Sequence, residues 1–393
     1  MKILLYRWKV FNQEDITEAL EKAGHTVTQM EAISFSRKSD MPEDKDKLAK
    51  ELVDMFDGYD AVFSVNYFIE VSNACEQLHI KYISWTVDSP MLTMYDKSVF
   101  NECNYCFLFD KVCFCTFKAM GVKKIWYLPL AVNAARLSRQ LDGMSTEEVT
   151  GFLSDVSFVG GLYNKNSYDE VYDKLPEYLS GYFDGAIQAQ GDLFGDNVFD
   201  RIFTSDILEK LSEFVDFRQA ESGLSSMELV FKNTFLGYKH AQISRIKLIN
   251  MLASKFDMDL YSDKDDKRII GANYRGTVDY YKDMPKVFRC SNININLTIC
   301  NIRSGIPLRV WDIIGAKGFV LTNYQPEIPE LFENGSDIVY YESFDDCVRK
   351  TEYYLTHEDE RKCIAENGYN KVLQYHSYDA RIKFILDKLG CLV

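Results

Sequence analysis

Short apolar runs alternate with segments of helical period along the first third of the chain. KILLY opens the series, and EDITEALEKAGHTV follows as a helix stopped by Gly24. DAVFSVNY, KYISWTV, YCFLF and KIWYLPL are four further strands, separated by segments of helical period such as IEVSNACEQLH. Strand–helix alternation of this kind predicts a parallel sheet covered on both faces. The polar stretch LSRQLDGMSTEEVTGF interrupts the rhythm and places a boundary near residue 150. A second series begins at Asp155 with the strand VSFVGG. Residues 164 to about 235 are acidic and helical in pattern, which reads as an insertion. The series then resumes with the helix AQISRIKLINMLASKF and the strands DMDLYS and NYRGTV. The helix YYKDMPKVFRCS, the strand NININLT, the helix LRVWDIIGAKG and the strands GFVLTN and DIVYY follow, with two or three closing helices. The pattern predicts an α/β chain of two doubly wound domains in tandem, residues 1–150 and 151–375.

Composition narrows what such a chain does. Its 393 residues exceed one compact core, and 47% hydrophobic content argues against disorder. A net charge of −14 argues against general nucleic-acid binding, which needs a basic surface, and against a broad anchor on anionic lipid. The opening MKILLYRWKVF lacks the long apolar core of a signal peptide, and no run approaches 18 uncharged apolar residues. The expectation is a cytoplasmic protein without a transmembrane segment, whose ten cysteines, Cys391 among them, are reduced. Cys103, Cys106, Cys113 and Cys115 have a spacing that invites zinc. Yet VCFCTF alternates like a buried strand, so free thiols are expected and no metal site.

The segment with the most chemistry is NININLTICNIRSGIPLRVWDIIGAKGFVLTN. A buried strand ends in a polar loop, and a helix starts beside Pro307, which fits a first turn because its missing N–H has no partner there. Gly305 lets backbone approach a ligand, and the helix N-terminus is an anion site by its free N–H groups and dipole. Arg303 and Arg309 flank it with guanidinium forks suited to phosphate. Asp312, in the first turns, suits ribose hydroxyls. Gly160 and Gly161 end the opening strand of this domain, where a diphosphate meets backbone amides. In the first domain, Asp88 follows a strand and precedes Ser89 and Pro90. It either caps the next helix or takes a proton from an attacking hydroxyl.

Residues 305–318 with FVLTN, PELFENG and DIVYY resemble the C-terminal half of GT-B glycosyltransferases, in particular the spore-maturation, CgeB-type family. The ending EDERKCIAENGYNKVLQYHSYDARIKFIL, the strand SFVGGLYNKN and the SWTVDSP stretch are similar to that family as well. The resemblance implies two Rossmann-like domains facing across a cleft, with the last helix, residues 376–393, returning toward the first. It implies an acceptor on the first domain and a nucleoside-diphosphate sugar, of the UDP type, on the second. It implies no cofactor and no metal, because Arg, Lys and helix dipoles neutralise the leaving diphosphate. Many retaining relatives carry two glutamates eight positions apart; Asp312 matches the second, but Ser304 stands at the first. An arginine common after the opening strand is replaced by Gly161, with Lys165 four residues on. The sugar-contacting acid and one phosphate cation then come from elsewhere, Arg245 and Arg303 being candidates for the cation. An epimerase or hydrolase on the same plan, or a non-catalytic nucleotide-sugar binder, are the alternatives.

Overall fold

The computed structural model describes residues 1–32 and 42–390, which leaves Cys391 outside the described residues. The chain divides into two compact units. The first comprises Met1–Leu130, Gln219–Ser225 and Ser377–Val393; the second comprises Ala131–Arg218 and Ser226–His376.

In the first unit six strands form a parallel sheet: β1 (Lys2–Arg7), β2 (Thr26–Glu31), β3 (Ala61–Val65), β4 (Lys81–Trp85), β5 (Asn104–Leu108) and β6 (Ile125–Tyr127). Their order is β2-β1-β3-β4-β5-β6, so the direction of winding reverses between β1 and β3. β3 is buried at every position, as a central parallel strand covered on both faces must be. β2, TVTQME, was not anticipated from sequence. It is a polar edge strand paired only with β1, so it carries no apolar signal. VCFCTF is a correction of the opposite kind. It lies in the helix Lys111–Ala119, not in a strand. The Asp110 side chain accepts the backbone N–H groups of Val112 at 3.0 Å and Cys113 at 3.2 Å, an N-cap that outweighs the alternation of VCFCTF. Cys113 is buried there, whereas Cys115 is exposed. The helix Tyr378–Lys388 belongs to this unit: Tyr378 packs edge-on to Trp85, and the Arg381 side chain donates to the Pro129 carbonyl at 2.9 Å. Gln219–Ser225 joins it through backbone bonds, Lys97 N–H to Ser222 at 2.9 Å and Leu224 N–H to Tyr95 at 2.8 Å.

The second unit holds β7 (Ser154–Val159), β8 (Met258–Tyr261), β9 (Asn273–Gly276), β10 (Ser291–Asn296), β11 (Val320–Asn323) and β12 (Val339–Tyr341). All pair in parallel in the order β12-β11-β10-β7-β8-β9, the dinucleotide-binding arrangement with its reversal between β7 and β10. LSRQLDGMSTEEVTGF forms two helices of this unit, Ala134–Leu141 and Thr146–Phe152, and the change of unit falls at Leu130. β10 buries Ile293 and Ile295 on one face and Asn294 and Asn296 on the other. The asparagines are satisfied across the sheet. Asn294 accepts from Ser157 at 3.0 Å, and Asn296 donates to Thr322 at 2.9 Å. The anticipated insertion is helical, including Glu177–Gln190 and Ser205–Ser212, around its own core of Phe183, Phe199 and Phe231. Among the described residues, no helix is long and apolar enough to cross a membrane.

Candidate donor site in the second unit

The reversal between β7 and β10 opens a crevice at the carboxyl ends of these strands, where ligands of doubly wound sheets bind. Gly160 and Gly161 follow β7. A side chain at Gly160 would press within 3.3 Å of the Arg245 guanidinium, while Gly161 faces open space. Arg245 projects from the helix Tyr238–Ala253 and joins the two strand ends. Nη1 donates to the Gly161 carbonyl, and Nη2 donates to the Leu297 carbonyl at 3.1 Å. The guanidinium lies 5.4 Å from the Phe158 ring and 4.8 Å from the Tyr163 ring, while its Nε is buried without a hydrogen-bond partner. Tyr163 has φ 55°, a left-handed backbone uncommon for a bulky residue, and stacks on Tyr238 at 5.3 Å. Lys165 is exposed in the same loop.

The loop 297–307 after β10 is braced by the insertion. Asn301 donates to the Asn233 carbonyl at 2.8 Å, within a seven-residue π-helical turn, Phe231–Gly237. A side chain at Gly237 would overlap the Asn301 amide, so glycine is required for this approach. Asn197 adds a bond to the Cys300 carbonyl at 3.1 Å. Arg303 pairs with Asp200, which also takes Lys232 at 3.0 Å. Desolvation opposes ionisation of Asp200, but the two cations outweigh it and hold the carboxyl below its ordinary range. Ser304 and Gly305 are buried, and Ser304 donates to the Glu327 carboxylate at 2.7 Å.

The helix Leu308–Gly315 begins after Pro307, and Trp311 ties it to the loop by donating to the Ile306 carbonyl at 3.2 Å. Arg309 turns sideways over Phe288, 5.4 Å from the ring, and meets the Met284 sulfur. Asp312 lies 3.9 Å from Arg309 and accepts the Tyr280 hydroxyl at 2.9 Å. Gly160, Gly161, Arg303, Ser304 and Gly305 therefore belong to the two strand-end loops at the crevice, and Arg245 reaches both loops from its helix. Arg309 and Asp312 have inner contacts with the elements beside the helix.

In the first unit, Asp88 follows β4 and accepts the Asn66 amide at 2.7 Å. Asn66, with φ 68° at the end of β3, also receives the Val87 N–H at 2.8 Å on its carbonyl oxygen. The next helical turn, Leu92–Met94, has no side-chain cap, so Asp88 does not serve as one. One side of Asp88 is exposed, but crowding around the carboxyl withdraws water and pushes its pKa up, only partly offset by the Asn66 bond. Sequence reasoning missed Asp200, Asn301 and Glu327. An acid between two prolines at the end of β11 marks Glu327; nothing local marks the other two.

Residues 245–387 match a protein-family model described as glycosyl transferase-like. The glycosyltransferase from Rickettsia africae ESF-5 superposes with a TM-score of 0.55 at 11% identity, covering 99% of this chain and 98% of that one. Anabaena HepE, solved with UDP and glucose, gives 0.54 at 11% identity over 100% of both chains. The fold is GT-B. The sucrose-phosphate synthase of Thermosynechococcus elongatus shares this GT-B architecture, with a TM-score of 0.50, 11% identity and 99% of each chain covered. No curated protein matches the sequence. The matched segment begins at Arg245 and contains β10, its loop, and the helix Leu308–Gly315.

Proposed function

We propose that this chain is a glycosyltransferase of the CgeB type, moving a sugar from a nucleoside diphosphate of the UDP class to an acceptor hydroxyl without a metal. The supporting observation is the cluster at the β7/β10 reversal. Two strand-end loops, Arg245 and Arg303 gather there, ahead of a helix N-terminus, within a segment matched as glycosyl transferase-like. Backbone amides at Gly160 and Gly161, Lys165, Arg245 and Arg303 take the diphosphate, Arg303 exchanging Asp200 for phosphate. Asp312 and Arg309 lie toward the ribose. The leaving diphosphate is stabilised by fixed cations and dipoles, which need no reorganisation as charge develops. Asp88, on the first unit, accepts the proton of the attacking hydroxyl.

Calorimetry with UDP and with UDP-glucose, UDP-galactose and UDP-N-acetylglucosamine tests this. Wild type is expected to bind UDP, and Arg303→Ala and Asp312→Ala to weaken binding by about 1–3 kcal/mol each, the scale of a lost charge-assisted bond. Wild type that ignores every one of these nucleotides, or variants with unchanged affinity, would overturn the reading.

A further inference from the structure

Asp200 stands where the insertion meets the loop after β10, and its carboxylate faces two cations. Arg303 pairs with it from the loop, and Lys232 lies 3.0 Å from it within the insertion. Each of the three side chains keeps less than a third of its surface in water, so solvent screens these charges only in part. The partners differ in how they are held. Asp200 ends the short turn Val198–Asp200, and Lys232 lies in the π-helical turn Phe231–Gly237. Their chain neighbours Phe199 and Phe231 are buried in the core of the insertion, which fixes both positions. Arg303 comes from the loop 297–307 on a long side chain.

An arginine that already holds a carboxylate does not bind a phosphate at full strength. The ligand gains only the difference between two ion pairs, because the first must open before the second forms. Arg303 and Lys232 outweigh desolvation and keep the Asp200 carboxyl below its ordinary range, so it is ionised at neutral pH. Nor is Asp200 stranded when Arg303 turns away. Lys232 stays beside it, which avoids the cost of a half-buried charge without a partner.

We propose that Asp200 is a built-in competitor of the donor's diphosphate for Arg303, with Lys232 as the cation that keeps it paired while the diphosphate is bound. This rests on the donor-site reading above and adds its regulation. The insertion sets how tightly the second unit holds nucleotide, and Asp200 returns to Arg303 as UDP leaves. A residue that merely braced the loop would act with the opposite sign, since its loss would weaken binding.

Calorimetry with UDP on the full chain reads that sign. Asp200→Asn keeps the shape and removes the charge, and it is expected to lower Kd for UDP about threefold, the scale of one partly screened ion pair. Asp200→Ala should shift Kd in the same direction. In an Arg303→Ala background, Asp200→Asn should change Kd less than about twofold, because the competitor then has nothing to compete for. Asp196, which Arg201 holds at 2.7 Å and which also feels the charge of Arg303, is the control for bulk charge. Asp196→Asn is expected to leave Kd within about twofold. An unchanged Kd in both Asp200 variants would overturn the inference and leave the donor reading standing. A raised Kd with a lowered Tm would make Asp200 a loop brace and overturn it too. Tightening that persists without Arg303, or that Asp196→Asn reproduces, would assign the effect to the general acidic field, against the inference. Failure of the wild type to bind UDP would remove the donor reading itself, and the inference with it.

Discussion

A carboxylate that must take a proton does so better when water has been drawn away from it. Asp88 meets that condition: crowding raises its pKa above the ordinary aspartate range, and the Asn66 amide holds it in one orientation. The active form is the ionised one, so turnover falls as pH drops through the raised pKa. Donor turnover followed against pH is expected to show an acid limb above about pH 4, the unperturbed aspartate value. Asp88→Asn should lower turnover about a hundredfold or more and abolish that limb, with UDP affinity nearly intact, since the proposed donor site is on the other unit. An Asp88→Asn variant with wild-type turnover places the base elsewhere. Asp88 was legible because it stands where a strand-end carboxylate in SWTVDSP is easily seen. Its environment was not, because Asn66 lies 22 residues away in sequence.

At the scale of elements, the insertion is more than decoration. Its π-helical turn supplies the Asn233 carbonyl to Asn301, and Gly237 gives Asn301 room. Alanine in a helical segment is ordinarily favoured over glycine by up to about 1 kcal/mol. Here the added methyl would overlap a buried amide already committed to a hydrogen bond, and such overpacking costs roughly 1–3 kcal/mol. The second effect exceeds the first. Gly237→Ala is therefore expected to lower stability in chemical denaturation and to weaken UDP binding by shifting the loop 297–307. A variant more stable than wild type would show that the loop yields without cost. None of this was legible. A single glycine in a helix-like run looks tolerable, and only the folded chain brings residue 237 against residue 301. By contrast NININLT, RSGIP and LRVWDIIG announced a strand, a loop and a helix in order, because apolar period and proline placement are local signals. β2 and VCFCTF went astray for the matching reason. A polar edge strand has no apolar period, and an aspartate cap decides a helix start that alternation alone cannot.

At the scale of the whole molecule, charge is unevenly used. The chain is acidic overall, at −14, yet two arginines stand at the β7/β10 reversal: Arg303 in the loop after β10, and Arg245, which bonds the Gly161 and Leu297 carbonyls from its helix. Cations of this kind can neutralise a leaving diphosphate by themselves. Turnover of the labelled donor is accordingly expected to survive EDTA. Loss of activity restored by Mn²⁺ or Mg²⁺ would assign the neutralisation to a metal. The two-unit plan was visible from strand rhythm, but the chain's excursions were not. Gln219–Ser225 and the helix Tyr378–Lys388 both belong to the first unit. On a ribosome this has a consequence in time. The first sheet leaves the exit tunnel early, but the helix that seals its Trp85 flank is made roughly 250 residues later. At about 5–20 residues per second, that is a wait of roughly 12–50 seconds. Throughout it the nascent chain carries an unfinished sheet with an uncovered tryptophan, and chaperone contact during translation is the natural guard for it.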